Sequence, residues 1–439
     1  MRFGVMRTNM NVRCQLASCF PERGLNGRLG GMGLPDSVAS RPFPGSSGRV
    51  FLVFLRLGLT SFGGPVAHLG YFRTEFVERR GWLSDRAYAD LVALCQFLPG
   101  PASSQVGMAI GLQRAGILGM LVAWAGFTLP SAMLLFAFAL GIGASGDLSQ
   151  AGWVLGLKAA AVAVVAHAVL AMARSLTPDA RRATIAVAVM VLVLLVPGPL
   201  AMLGAMIAAG IAGLLFLART AHTGAPARTE DRFPVRLHRG VSIGCLIAFA
   251  LLLVTLPILA TATGDAALSL FDLFYRAGSF VFGGGHVVLP LLQAETVQTG
   301  LVEPGAFLAG YGAAQAVPGP LFTFSAFLGA VTTSGPSGAL GASIALVAIF
   351  LPSALLIIGV LPLWNRLRRA PRVQRALKGV NAGVVGLLAA ALYDPVFNEG
   401  VTGPHSLVIV AVAFVALTAW KAPAWAVVLG AAGLGALLL

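Results

Sequence analysis

The chain has 439 residues, of which 57% are hydrophobic and only 10% charged, against about 25% charged in an average soluble domain. That balance excludes a water-soluble globule. The formal net charge of +14 fits cytoplasmic loops and not nucleic-acid binding, because the basic residues fall between apolar segments.

A bilayer span takes about 20 apolar residues, so the chain holds material for about eight to twelve. Residues 1–48 are polar, Gly-rich and Arg-bearing, and lack the apolar core of a secretory signal. They are expected to form a disordered cytoplasmic tail, with a start at Met32 as the alternative. The segment 51–72 is about one span long, yet Ser61-Phe62-Gly63-Gly64-Pro65 interrupts it. Basic residues flank it on both sides: the tail before, and Arg73, Arg79, Arg80 and Arg86 after. Both its ends then lie in the cytoplasm, which requires a re-entrant hairpin or broken helix. The segment 87–113 is interrupted in the same way at Pro99-Gly100-Pro101. Full crossings are expected at 115–143, 151–173, 182–197 and 199–217. Residues 220–261 supply a basic linker and one connecting transmembrane helix. Cys95 and Cys245 read as small buried thiols, and no metal-ligating spacing is present.

The second half repeats the first. Phe54–Gly64 reads FLRLGLTSFGG, and Phe274–Gly284, 220 positions later, reads FYRAGSFVFGG. Glu75 finds Glu295 at the same offset. Gln96-Phe97-Leu98-Pro99-Gly100-Pro101 meets Gln315-Ala316-Val317-Pro318-Gly319-Pro320, and Leu129-Pro130-Ser131-Ala132 meets Leu351-Pro352-Ser353-Ala354. The repeats are placed at 49–219 and 262–439, with later crossings at 339–361, 379–393, 406–420 and 424–438. The matched loops differ in charge. The loop 73–86 carries four arginines and its partner 293–305 none. The loop 144–150 carries no base, whereas 362–380 carries six. Lys and Arg collect on the cytoplasmic side. The expected fold class is therefore an all-α polytopic membrane protein of two inverted homologous halves with broken or re-entrant helices, and inverted-repeat transporters bind substrate near the midplane.

Broken backbone inside a bilayer survives only where protein or a water-filled cavity satisfies it. A helix start there presents free N–H groups at a positive dipole end, which suits an anion. The candidate substrate contacts are Gly63, Gly64, Gly100, Ser103 and Ser104, with Gly283, Gly284, Gly319 and Thr323 in the second half. The alternative for the glycines is helix packing. Arg56 and Arg276 offer a planar fork to an oxyanion; snorkelling, or pairing with Glu75 and Glu295, is the other reading. Gln96 and Gln315 either donate to substrate or staple helices. Glu75, Glu295 and His286 are candidates for a coupling proton, with solvated loop acids as the alternative for the glutamates. His68 and Asp272, each without a counterpart in the other half, read as structural hydrogen-bonding residues with a proton carrier as the alternative, and Lys158 as reaching its nearest interface.

The ordered, duplicated set Phe62-Gly63-Gly64-Pro65, Gln96-Phe97-Leu98-Pro99-Gly100-Pro101 and Leu129-Pro130-Ser131 resembles the chromate transporter family in its long two-domain form. The likeness covers nearly everything after Arg49. It implies export of chromate across the bacterial inner membrane by a multi-pass, proton-driven antiporter that confers chromate resistance, without a cofactor. Sulfate is the alternative or competing substrate, and an anion channel the alternative mechanism. The expected partners are the oxyanion and membrane lipid, no nucleic acid, with a homodimer left open. Gly285 stands where the first half has Pro65, and Leu321-Phe322 where it has Ala102-Ser103, so the halves are expected to contribute unequally. No GxxxxGK[ST] loop or HExxH motif is present, which argues against an ATP-driven pump or a metal-dependent membrane enzyme.

Overall fold

The computed structural model describes residues 45–144, 151–196, 198–217, 237–281, 288–364 and 370–439. Residues 1–44 of the expected tail, most of the basic linker, and Gly283, Gly284 and His286 lie outside the described residues. Every regular element described is helical, because backbone in hydrocarbon must bond to itself.

α1 (Ser47–Thr60) stops at Ser61, and α2 (Gly64–Arg73) starts after a Gly63 at φ 99° with Pro65 in its first turn. A π-helical turn, Thr74–Arg79, follows. Ser84 then caps α3 (Asp85–Phe97), accepting the Ala87 N–H at 3.2 Å. Pro99-Gly100-Pro101 separates α3 from α4 (Ala102–Ala144), which breaks again at Ala115 and Gly116. α5 (Gly152–Leu176), α6 (Ala180–Leu195) and α7 (Pro199–Phe216) complete the first half. The connecting helix is α8 (Arg239–Thr263).

The second half opens with α9 (Ala266–Phe280), α10 (Val288–Thr296) and α11 (Pro304–Ala316). One 3-10 turn, Leu321–Thr323, leads into α12 (Phe324–Ala330). α13 (Gly338–Val360), α14 (Pro371–Ala391), α15 (Pro404–Thr418) and α16 (Ala424–Leu438) follow. Five stretches among the described residues are long and apolar enough to cross a bilayer: Ala102–Ile142, Gly152–Leu176, Arg239–Thr263, Gly338–Leu363 and Pro371–Gly400. α8 shows Ile243, Ile247, Leu251, Val254 and Ile258 on an exposed stripe, a surface suited to lipid.

The two halves exchange packing partners. α5, in the first half, is covered by α11, α15 and α16 of the second, and α14 is covered in return by α6 and α7. Glycines set both crossings. A methyl group on Gly435 would lie 2.7 Å from the Gly156 Cα, and one on Gly379 would lie 2.7 Å from the Gly213 Cα. Gly58 packs on the backbone of Gly126 and Phe127 as Gly278 packs on that of Ile349. Small residues let membrane helices approach this closely.

Two expectations change. α14 begins at Pro371, not at 379, so part of the stretch assigned to a basic loop is helix. Glu75 sits on a π-helical turn and not in an irregular loop. Lys158 is buried, with its Nζ beside Gly305 at the start of α11.

Candidate functional site

The chain breaks of the two halves meet, and they meet crosswise. The Gly100 N–H of the first half donates to the Val281 carbonyl, at the end of α9, at 2.6 Å. The Gly319 N–H of the second half donates to the Ser61 carbonyl, at the end of α1, at 2.8 Å. Each Pro-Gly-Pro loop also seats against a serine of the other half. A methyl group on Gly319 would lie 2.5 Å from Ser131 Oγ, and one on Gly100 would overlap Ser353 Oγ. Ser131 and Ser353 belong to the Leu-Pro-Ser repeats, and the sequence singled out those motifs without assigning the serines a place. Gly100 and Gly319 have φ of 117° and 97°, a region closed to most side chains. Glycine is thus required there twice, by dihedral angle and by space.

Side chains fill the meeting point. His68, fully buried on α2, places Nε2 3.2 Å from the Ser61 carbonyl and Nδ1 3.4 Å from Ser103 Oγ. A carbonyl only accepts, so Nε2 carries the proton; in the neutral ring Nδ1 then accepts from the Ser103 hydroxyl. His68 thus ties the α1–α2 break to the first turn of α4. Gln105 donates from Nε2 to the Pro99 carbonyl at 2.6 Å and to Ser353 Oγ at 3.3 Å. Ser61 Oγ, Ser104 Oγ and Thr128 Oγ1 are buried, and none has a hydrogen-bond partner among the described residues. Buried polar atoms are rarely left unpaired.

The remaining expected contacts are spread more widely. Gln315 is buried with Nε2 unpartnered, whereas its counterpart Gln96 is exposed. The Thr323 hydroxyl is donated to the Pro320 carbonyl at 2.7 Å. Pro101 and Pro320 stand just before the first helical residue, while Pro65 lies inside the first turn of α2. Arg56 is exposed and stands apart from Glu75. Glu75 is clamped by Arg80 Nε at 2.6 Å and Arg79 Nη1 at 3.3 Å. Burial pushes the Glu75 carboxyl up, but the two guanidiniums outweigh it and hold it below the ordinary carboxylate range. Arg276 takes the alternative given for it, pairing with Glu295. It reaches Glu295 with both terminal nitrogens, at 2.8 and 3.2 Å, and Asp272 with Nε at 3.0 Å. Two carboxylates thus share one guanidinium in the second half, and Asp272 Oδ1 has no partner among the described residues. Leu52 stands at the Asp272 position in the first half, so this cluster has no duplicate.

The family described as Chromate transporter matches the chain twice, over residues 48–214 and 268–436. The chain is 30% identical over 363 residues to the chromate transport protein of Pseudomonas aeruginosa, covering 80% of this chain and 82% of that one. It is 27% identical over 351 residues to the chromate transport protein of Cupriavidus metallidurans, covering 78% and 81%. It is 26% identical over 388 residues to a probable chromate transport protein of Synechococcus elongatus, covering 84% and 88%. No solved structure matches the chain. A duplicated Pro-Gly-Pro break in an all-α membrane protein, matched over both repeats, has one reading: the chain belongs to the chromate transporter family, whose members carry solutes and are not catalysts.

Proposed function

We propose that this protein is a secondary active transporter that exports chromate across the bacterial inner membrane and so confers chromate resistance. The observation that carries the reading is the crossed pair of hydrogen bonds, Gly100 to Val281 and Gly319 to Ser61. They gather the end of α1, the start of α4 and the 3-10 turn before α12 into one buried region made by both halves. First-turn amides there, with the unpartnered hydroxyl of Ser104, suit a tetrahedral dianion that gives up its water. Gly63 and Gly64 let backbone approach it, and Gln315 and Thr323 border it. Sulfate, of like shape and charge, competes.

The halves 49–219 and 262–439 are inverted in the bilayer, as the loop charges require. Rocking one half against the other then opens the shared site to either side. Coupling to protons falls to the Asp272–Arg276–Glu295 cluster, where two carboxylates against one guanidinium leave one negative charge for a proton to neutralise. Its clamp of arginines keeps Glu75 charged, so Glu75 serves to fix the turn after α2. The test is uptake of labelled chromate into inverted membrane vesicles with an imposed pH gradient. Uptake that needs the gradient and falls with added sulfate is expected. Uptake indifferent to the gradient would remove proton coupling, and none at all would remove chromate.

A further inference from the structure

The two crossed contacts correspond by repeat, yet their chemistry is opposite. Four polar residues surround the Ser61–Gly319 contact. Ser61 provides the accepting carbonyl, His68 donates to that same carbonyl, Ser103 bonds His68, and Thr128 follows the Phe127 whose carbonyl would lie 3.1 Å from a methyl group on Gly319. At the matching places of the second half stand Val281, Val288, Phe322 and Phe350. Phe322 and Phe350 pack ring to ring at 5.9 Å, and Val281 and Val288 are 0% exposed. These four side chains are apolar, and the polar groups that reach Gly100 are Gln105 Nε2 and Ser353 Oγ, which are bonded to each other.

The unpartnered atoms divide the same way. Ser61 Oγ and Thr128 Oγ1, each on a residue 0% exposed, are hydroxyl donors without a partner among the described residues. Two further unpartnered donors, Gln315 Nε2 and Ser325 Oγ, stand on the arms either side of Gly319, and Ser104 Oγ stands beside Ser103. Beside Gly100, Gln105 Oε1 has no partner among the described residues, and neither has the donor Trp124 Nε1, whose ring lies 5.8 Å from that of Phe350. Gln105 Oε1 is an acceptor, since the Gln105 Nε2 is fixed by donating to the Pro99 carbonyl. An acceptor repels an oxyanion, and free hydroxyls attract one.

We propose that the substrate oxyanion sits on one side only, in the cradle where the Ser61 break receives Gly319, and that Ser61 Oγ and Thr128 Oγ1 donate to its oxygens. The Val281–Gly100 contact, seated on Ser353, is a structural fulcrum without a ligand. The inference rests on the oxyanion reading above and narrows it to named donors.

A hydroxyl that has no partner within the fold can be removed without breaking a bond, so structural and ligand roles separate. The measurement is equilibrium dialysis of labelled chromate, and separately of sulfate, against the full chain in lipid nanodiscs, with thermal unfolding recorded without anion. Ser61→Ala and Thr128→Val are each expected to bind about tenfold more weakly at an unchanged or higher unfolding temperature. Ser353→Ala is expected to bind within about twofold of wild type, which is the weight of no lost donor. Equal losses in all three variants, or loss in Ser353→Ala alone, would overturn the one-sided site and leave the oxyanion reading standing. So would unchanged binding in Ser61→Ala and Thr128→Val, or loss accompanied by a lower unfolding temperature. Failure of the wild-type chain to bind either anion would overturn the oxyanion reading itself, and this inference with it.

Discussion

A methyl group at Gly100 or Gly319 would carry two separate penalties, and the two sites should respond differently to relief. Both residues sit at positive φ, costing an alanine about 1–2 kcal/mol. Both also face a serine hydroxyl of the other half. Removing that hydroxyl frees the space at Gly319, where the next atom is the Phe127 carbonyl at 3.1 Å, but at Gly100 the Gln105 Nε2 still lies 2.8 Å away. Ser131→Ala should therefore restore part of the unfolding temperature lost in Gly319→Ala, and Ser353→Ala should restore little of that lost in Gly100→Ala. The arginines should separate as well. Arg276 anchors two nearly buried acids, its own side chain being 31% exposed. Breaking such a pair by removing one partner costs about 3–5 kcal/mol when fully buried, so Arg276→Gln should fall near the low end of that range. Arg56 is exposed, so Arg56→Gln should leave the unfolding temperature within about a degree of wild type. Lost chromate resistance in Arg56→Gln at normal protein levels then reports on the pathway alone. Glu75 gives a pH signature. Its folded carboxyl is held below its ordinary 4.5, so its stabilising pairs are fully formed above that value and are lost as pH falls through the folded one. The gap in unfolding temperature between wild type and Glu75→Gln should narrow below about pH 4.5 and stay constant above it.

At the scale of elements, matching glycine crossings join α5 to α16 and α14 to α7. At each, an added methyl would come 2.7 Å from a facing glycine Cα, and the helices have no softer side chain to displace. Gly435→Ala and Gly379→Ala should each destabilise by about 1–3 kcal/mol, measured by thermal unfolding in detergent, and to similar extents if the crossings are equivalent. The sequence already marked most of these elements. Gly-Gly-Pro and Pro-Gly-Pro placed the breaks after α1, α3 and α11, because glycine at positive φ and proline without an N–H end a helix in any setting. The last helix runs over Ala424–Leu438, as the apolar run 424–438 suggested. The start of α14 was missed because Arg372, Arg375 and Lys378 read as loop, although a membrane helix can extend beyond the hydrocarbon with its basic residues still in water. The crossed pairing could not be read at all. Ser61 opens a break the sequence marked and Thr128 sits in an apolar run, but their hydroxyls become notable only when long-range packing leaves them without a partner. Ser131 and Ser353 carried a signal, their place in a duplicated motif, but not its meaning.

Across the whole molecule, neither half covers its own centre. α5 lies under α11, α15 and α16, and α14 lies under α6 and α7, so each repeat alone would expose its central helix and its chain breaks to lipid. Unsatisfied backbone at membrane depth costs several kcal/mol per group, and neither half alone can meet that cost. Splitting the chain between residues 220 and 236 should yield two pieces that are degraded when made separately and that restore resistance when made together. Stable accumulation of residues 1–219 alone would contradict this mutual cover. The proposed inversion of the halves across the bilayer can be tested directly. If the second is inverted, the segments after Gln150 and after Arg372 occupy corresponding positions in the repeats but open to opposite sides. Reporter domains fused after each should be active in opposite compartments. Matching activity would mean that the crossed contacts join parallel halves, and a single site opened alternately by rocking two inverted repeats would then have no geometric basis.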